Sequence, residues 1–256
     1  MISQTNALKN YQKILENLYS KYLDKFKDKK IAVFVSGGID SSLIAYFTSK
    51  FFKNITLLTL HSKNAVDLEY VKILNKYLRQ KLEIVEFNDK KINQIKNRAE
   101  SILKNNNLLI NPTHLSLSSA FYLLCEKAFE EKIDVVFTGQ GPDILLAGYH
   151  MYQKLPLDKL NEKIKTDLSL LEIDKKRDGA IAGYFKINLI NPYLEKEFVD
   201  FCLDLPAQFK INKINNEVYE KYLSRKLGQI LGLPKEIILR HKKALQYSTK
   251  IRSYFK

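Results

Sequence analysis

Residues 6–28 carry Leu8, Tyr11, Ile14, Leu15, Leu18, Tyr19 and Tyr22 at three- and four-residue spacing, the stripe of an amphipathic helix. The next apolar segment, IAVFV from Ile31 to Val35, is continuous rather than striped, as expected of a strand covered on both faces. Continuous and striped segments then alternate. SLIAYFTSKF reads as helix, ITLLTL as strand, VDLEYVKILNKYLRQ as helix, LEIVEF as strand, SLSSAFYLLCEKAFEEK as helix and IDVVFTG as strand. No hairpin turn separates them, so the order predicts an α/β fold with a doubly wound parallel sheet. Beyond Tyr152 no run reads as a further central strand, and prolines at 156, 192, 206 and 234 punctuate helical segments. The expected organisation is an α/β unit over 1–152, which includes the N-terminal helix, and a helical portion over 153–256 packed on it. No internal repeat or low-complexity linker is visible.

Composition narrows the class. The chain has 256 residues, 45% hydrophobic and 27% charged, which is enough for a sizeable core. No apolar run reaches the roughly 18 residues needed to span a bilayer, and the N-terminus lacks the pattern of a secretory signal. Cys125 and Cys202 have neither zinc-ligand nor redox-pair spacing, so both are expected to be buried thiols in a reducing, cytoplasmic setting. The formal net charge is +14, with the lysines spread along the chain. That pattern suits general solvation better than a tRNA footprint, although an anionic nucleotide would also benefit. His61, His114, His150 and His241 have no metal-ligand spacing; His61, at the end of the second strand, is expected to be structural.

Chemistry enters with SGGIDSS, Ser36 to Ser42, at the junction of the first strand and the next helix. Open parallel sheets bind ligands outside the carboxyl ends of their strands. Gly37 and Gly38 permit unusual backbone conformations and close approach, and a helix N-terminus offers unpaired N–H groups with about half a positive charge. Ser36, Ser41 and Ser42 add hydroxyls. Together they form a seat for phosphate or pyrophosphate. Asp40 would repel a phosphate unless a cation lay between them, which points to Mg²⁺. A simple helix cap would explain one of these residues but not the whole set. The spaced glycines and lysine of a Walker loop are missing, and the glycine spacing does not match a dinucleotide fingerprint. After the fourth strand comes FTGQGPDILLAGYHMY. If that strand lies beside the first, Asp143 faces Asp40, and the two share the metal.

SGGIDSS resembles the pyrophosphate loop of the N-type ATP pyrophosphatases, which include asparagine, GMP and NAD synthetases and several tRNA-modifying enzymes. The second segment is similar to the Gly-Glu-Gly-Ser-Asp-Glu…Gly-Gly-Tyr signature of the asparagine synthetase synthetase domain, a branch shared with β-lactam synthetase. RDGAIAGYF…INPYLEKEFVDFCLDLP, NEVYEKYLSRKLGQILGLPKEII and RHKKALQYST are similar to later segments of that domain, in order, so the likeness covers about residues 12–252. It implies a fold of the adenine nucleotide α-hydrolase (HUP-like) type. It also implies adenylation of a small-molecule carboxylate by ATP with loss of pyrophosphate, then capture by an amine donor. The resemblance assigns pyrophosphate to Ser36, Gly37, Gly38, Ser41 and Ser42, nucleotide contacts to Val35, Leu60, Gly139, Gln140 and Gly141, and Mg²⁺ to Asp40 and Asp143. Lys242 would stabilise the transition states, supported by Lys221 and Arg240.

Departures are expected in the acceptor half. Gln140 stands where the family has Glu, Pro142 where it has Ser, and Ile144 where it has Glu. Asn188 and Ile190 are aligned with a family Glu and Arg. The glutaminase half, with its N-terminal cysteine, is not expected from a chain beginning Met1-Ile2. Nitrogen would then come from free ammonia, a separate glutaminase subunit or another amine; the oligomeric state, monomer or homodimer, stays open. Two other readings stand beside the ligase: a tRNA-modifying pyrophosphatase, which the missing cysteine pair disfavours for sulfur delivery, and a weakly active nucleotide-binding subunit.

Overall fold

The computed structural model describes residues 2–62, 67–214, 217–241 and 249–255. An N-terminal helix, α1 (Gln4–Phe26), precedes β1 (Ile31–Phe34), α2 (Ile39–Phe51), β2 (Thr56–His61), α3 (Asp67–Leu78) and β3 (Lys81–Glu86). Then come α4 (Asp89–Asn105), α5 (Pro112–Glu130), β4 (Val135–Phe137) and the short α6 (Pro142–Leu145) and α7 (His150–Gln153). The long α8 (Leu157–Tyr184) leads into β5 (Asn188–Ile190), α9 (Lys196–Asp204), β6 (Ile211–Ile214), β7 (Glu217–Glu220), α10 (Tyr222–Ile230) and α11 (Lys235–Ile238). Helix starts follow local chemistry: Ser3, Asn88 and Asn111 each accept a hydrogen bond from a first-turn N–H of α1, α4 and α5.

The five strands of the main sheet are all parallel, in the order β3-β2-β1-β4-β5. The winding direction reverses at β1, so the loops after β1 and β4 open onto one crevice. Side-chain alternation divides the core into two layers. Ile31, Val33, Val35, Val135 and Phe137 join one buried cluster with α1 and α2. Ala32, Phe34, Leu58, Leu60 and Val136 join the other with α4, α5 and α8. Both faces are covered, which is why the strands read as unbroken apolar runs. Cys125 and Cys202 are free and buried, and burial pushes both thiols well up. Among the described residues, no helix is long and apolar enough to cross a membrane.

The portion expected to be helical beyond Tyr152 contains β5, an edge strand that pairs with β4 through Val135–Asn188, Val136–Leu189 and Phe137–Ile190. Three residues are too few to show a period, and the run INLIN carries asparagines near both ends. An antiparallel pair, β6 with β7, also lies in the portion read as helical.

Lys210 is fully buried and donates to Asn161 Oδ1 at 2.7 Å, and burial lowers its ammonium to about 8. Between about pH 8 and the ordinary lysine value the unfolded chain holds a proton that the folded chain has released, so stability rises with pH across that window. Below it both states are protonated and the full burial cost applies. Lys210→Met is therefore expected to raise the urea midpoint at pH 7, with the gain shrinking towards pH 10; a gain independent of pH would contradict this.

Candidate active site

After β1 the chain passes through Val35, Ser36 and Gly37, and Gly38 caps α2 without any side-chain acceptor at the first turn. The serines knit the loop instead. Ser41 Oγ accepts from Ser36 N at 3.2 Å and donates to the Gly38 carbonyl at 3.2 Å, and Ser36 Oγ lies 3.2 Å from Ser41 Oγ. Gly37 has φ +69°, and a Cβ there would press on Tyr70 Cβ and Val71 N. The α2 N-terminus thus faces the crevice with its orphan donors, a seat for an anion.

Arg240 fastens this loop from behind. Its Nη1 donates to the Ser36 carbonyl at 2.6 Å, its Nη2 pairs with buried Asp67, and its guanidinium stacks 4.2 Å from the Tyr70 ring centroid. Arg225 holds Arg240 in turn, donating to the carbonyls of Ile238 at 2.5 Å and Arg240 at 2.9 Å. A lysine cannot reproduce a stacked, forked contact. Arg240→Lys is expected to weaken the binding of inorganic pyrophosphate at this loop about tenfold, the worth of one charge-assisted hydrogen bond. Calorimetric titration of pyrophosphate into both proteins checks the difference.

The second loop, Thr138 to Asp143, follows β4, and Gly139 sits directly on the backbone of Asp40 and Ser41. Asp143 and Asp40 converge on one group. Lys221 Nζ is hydrogen-bonded to Asp40 Oδ2 and lies 2.6 Å from Asp143 Oδ1, with its side chain only 6% exposed. Burial works against charge on Lys221, but Asp143 and Asp40 outweigh it and hold the ammonium above its ordinary range. The two carboxylates therefore sit within reach of a single cation.

These groups line a cavity of about 280 Å³. Phe34, Val35, Leu60, Leu117, Phe121 and Leu124 supply an apolar wall; Ser36, Asp40, Ser41, Gln140, Asp143 and Lys221 are among the polar lining. The Asparagine synthase family model matches this sequence over residues 24–186 and 169–255. The chain belongs to the asparagine synthase family. A Methanocaldococcus jannaschii protein named as a putative glutamine-hydrolysing asparagine synthetase is 29% identical over 212 residues, covering 80% of this chain and 38% of that protein. The Gallus gallus asparagine synthetase is 28% identical over 248 residues, covering 92% and 42%. The chain thus spans about two-fifths of the length of these curated relatives. In fold it is similar to the NMN synthetase of Francisella tularensis, with TM-score 0.50 and 16% identity, covering 96% of this chain and 77% of that one.

Among the expected site residues of this asparagine synthase relative, Val35, Ser36, Gly38, Asp40, Ser41, Leu60, Gly139, Gln140, Asp143, Lys221 and Arg240 line the cavity. Gly37, Ser42 and Gly141 do not; they shape the loops from beneath, with Ser42 buried and Gly141, at φ +121°, packed on Tyr193 and Leu194. Lys242 lies outside the described residues. Arg240, expected as a supporting cation for catalysis, spends its guanidinium on Ser36 and Asp67.

The departures divide in the same way. Gln140 does line the cavity; its Oε1 is buried without a hydrogen-bond partner, and its amide bonds Asp178. Asn188 does not. It starts β5 opposite Val135, at the amino end of the sheet, exposed and donating to the Asp134 carbonyl at 3.2 Å. Ile144 is a core residue, and Ile190 pairs with Phe137. Pro142 is buried in the first turn of α6, so of the five only Gln140 lines the cavity. His61 is half-buried at the end of β2 and is not in the lining.

An ion group to which the sequence reading assigned no role, although its Arg177 and Asp178 open the matched RDGAIAGYF segment, completes the wall. Arg177, on α8, donates to Asp178 at 2.8 and 3.1 Å and to Asp174 at 2.5 Å, and all three line the cavity. Burial lifts the Asp178 carboxyl above the ordinary aspartate range, while Arg177 draws it back. Asp174 and Arg177 are three apart on a helix, a spacing that also describes solvated surface pairs. Only the fold reveals that this pair faces inward.

A divalent ion fits the donor set. Asp40 and Asp143 offer hard oxygens from two strand ends, as Mg²⁺ requires, and it keeps waters or phosphate oxygens for its remaining positions. Among the described residues no group of three His, Cys, Asp or Glu converges to bind a metal without such help.

Proposed function

We propose that this chain is an ATP-dependent ligase that adenylates a small carboxylate, releases pyrophosphate and transfers the acyl group to an amine. The observation that carries the reading is the convergence of Asp40 and Asp143 on one cation position beside the bare N-terminus of α2. Membership of the asparagine synthase family supports it. The apolar wall of Val35, Leu60 and Phe121 suits an adenine ring, and the Ser36–Ser42 loop suits the β- and γ-phosphates that leave together. Mg²⁺ held by Asp40 and Asp143 would neutralise charge on the departing pyrophosphate. Lys221 is a buried cation available to the phosphates, and an ammonium placed in advance needs no reorganisation as charge develops. Gln140, Asp178 and Arg177 would line the carboxylate and amine end, where a glutamine in place of a glutamate removes one base.

The test is to incubate the protein with ATP, Mg²⁺, candidate carboxylates and ammonia, and to measure pyrophosphate and AMP. Substrate-dependent release of both is the expected result. ADP with orthophosphate would overturn the scheme. Release that requires tRNA would move the protein to the tRNA-modifying branch, and nucleotide binding without turnover would make it a binding subunit.

A further inference from the structure

Lys221 is held in place more firmly than a side chain awaiting a ligand needs to be. It occupies the N-cap of α10 with a left-handed backbone, φ 56° and ψ 36°, a conformation that costs a non-glycine residue about 1 kcal/mol. Its N–H donates to the Leu146 carbonyl at 3.2 Å, and its own carbonyl accepts from Arg225 N at 3.1 Å. Its stem runs across Gly148, where any Cβ would overlap Lys221 Cε and come within 2.7 Å of Asp143 Oδ1. Backbone, helix start and a side-chain-free surface all aim one ammonium between two carboxylates.

We infer that Lys221 is a resident cation that holds the divalent-ion position closed until nucleotide phosphate draws its ammonium away from Asp40 and Asp143. The inference rests on reading those two aspartates as the ion's ligands. An ammonium shared by both carboxylates leaves a metal ion to compete with a fixed positive charge for the same oxygens. Phosphate changes the balance because its oxygens can accept Lys221 and complete the ion's coordination together. Ion and phosphate therefore enter as a pair, and the protein without nucleotide stays free of divalent metal. Lys221 then moves a short way from carboxylate to phosphate, and the buried site carries a compensating positive charge at every stage.

The probe is Mn²⁺, titrated into the nucleotide-free protein and followed by the EPR signal of the free ion. Wild type is expected to bind weakly, and adding inorganic pyrophosphate is expected to tighten it. Lys221→Met should bind Mn²⁺ at least about tenfold tighter without pyrophosphate, and adding Asp143→Asn to that variant should abolish the gain. Lys221→Met removes the ammonium that Asp40 and Asp143 share, so thermal melts in EDTA and in Mn²⁺ accompany it. A low melt in EDTA that recovers in Mn²⁺ supports the inference. If the variant melts low in both, Lys221→Gln, which keeps two donors without the charge, takes its place in the same titration. Equal Mn²⁺ affinity in wild type and the folded variant overturns the inference. If pyrophosphate release fails while Lys221→Met gains Mn²⁺ affinity, the ligase reading falls and the resident cation stands. An active enzyme with equal affinities keeps the ligase and removes the resident cation.

Discussion

Asp40→Asn is expected to lower substrate-dependent pyrophosphate release by on the order of 10²–10³, with little loss of fold. Asparagine keeps the shape and one acceptor oxygen but removes the charge. Lys221 then remains paired with Asp143, so the buried ammonium is still compensated. What disappears is half of the anionic donor set that would hold the ion against the departing pyrophosphate. The loss should appear as a higher Mg²⁺ concentration for half-maximal activity as well as lower turnover. Asp40→Ala removes both oxygens and is expected to be worse. Measuring pyrophosphate release over a Mg²⁺ series, with circular dichroism as the folding control, separates these effects. Unchanged turnover in Asp40→Asn would remove Asp40 from the site.

The size of that effect follows from how charge is arranged around Asp40. Among the described residues lining the cavity, Asp40, Asp143, Asp174 and Asp178 face Lys221, Arg177, Arg225 and Arg240. Arg225 is itself paired with Glu220 at 2.8 Å. Arg240 is likewise paired with Asp67, so the described lining interleaves four carboxylates with four cations. Inside, each charge has a partner, so removing one changes the state of its neighbour, which is why single substitutions here are expected to be costly and non-additive.

Much of this is legible in the sequence for a definite reason. IAVFV and ITLLTL are buried on both faces, so they read as strands without help from neighbours. SGGIDSS combines residue types that no plain turn requires, so the loop proposed to hold phosphate can be read locally. The pairing of Asp40 with Asp143 also follows, because it depends only on β4 lying beside β1. What escapes is set by tertiary contact. β5 is three residues long and is defined by its pairing rather than by any pattern. Arg177 and Asp174 look like a solvated helix pair until α8 turns them inward. Asn188 aligns with a functional position, yet strand direction puts it at the wrong end of the sheet. The charge of Arg240 is legible in the sequence, but its stacking on Tyr70 is not.

Gly139→Ala, the addition of one carbon, is expected to cut turnover about 10²-fold and to lower stability by roughly 1–3 kcal/mol. A Cβ at Gly139 would lie 2.7 Å from Ser41 N, 2.9 Å from the Asp40 carbonyl carbon and 2.9 Å from Ser41 Cα. All three atoms are backbone, so no side chain can swing aside. The β4 loop would have to retreat from the first turn of α2, and Asp143 would retreat with it from Asp40. Tyr193 OH, which donates to the Asp40 carbonyl at 3.3 Å, ties the same turn to the segment after β5 and resists a compensating shift. The fold would survive with a site whose two halves are misaligned, the kind of displacement to which positioned catalysis is most sensitive. Gly179→Ala on α8 is the control: its Cβ meets nothing within 4 Å, so it should leave turnover alone and raise stability by about 0.5–1 kcal/mol. Thermal melts and pyrophosphate release on both variants decide the matter. Equal turnover in Gly139→Ala and Gly179→Ala would mean that the contact between the two loops does not set the spacing of the aspartates.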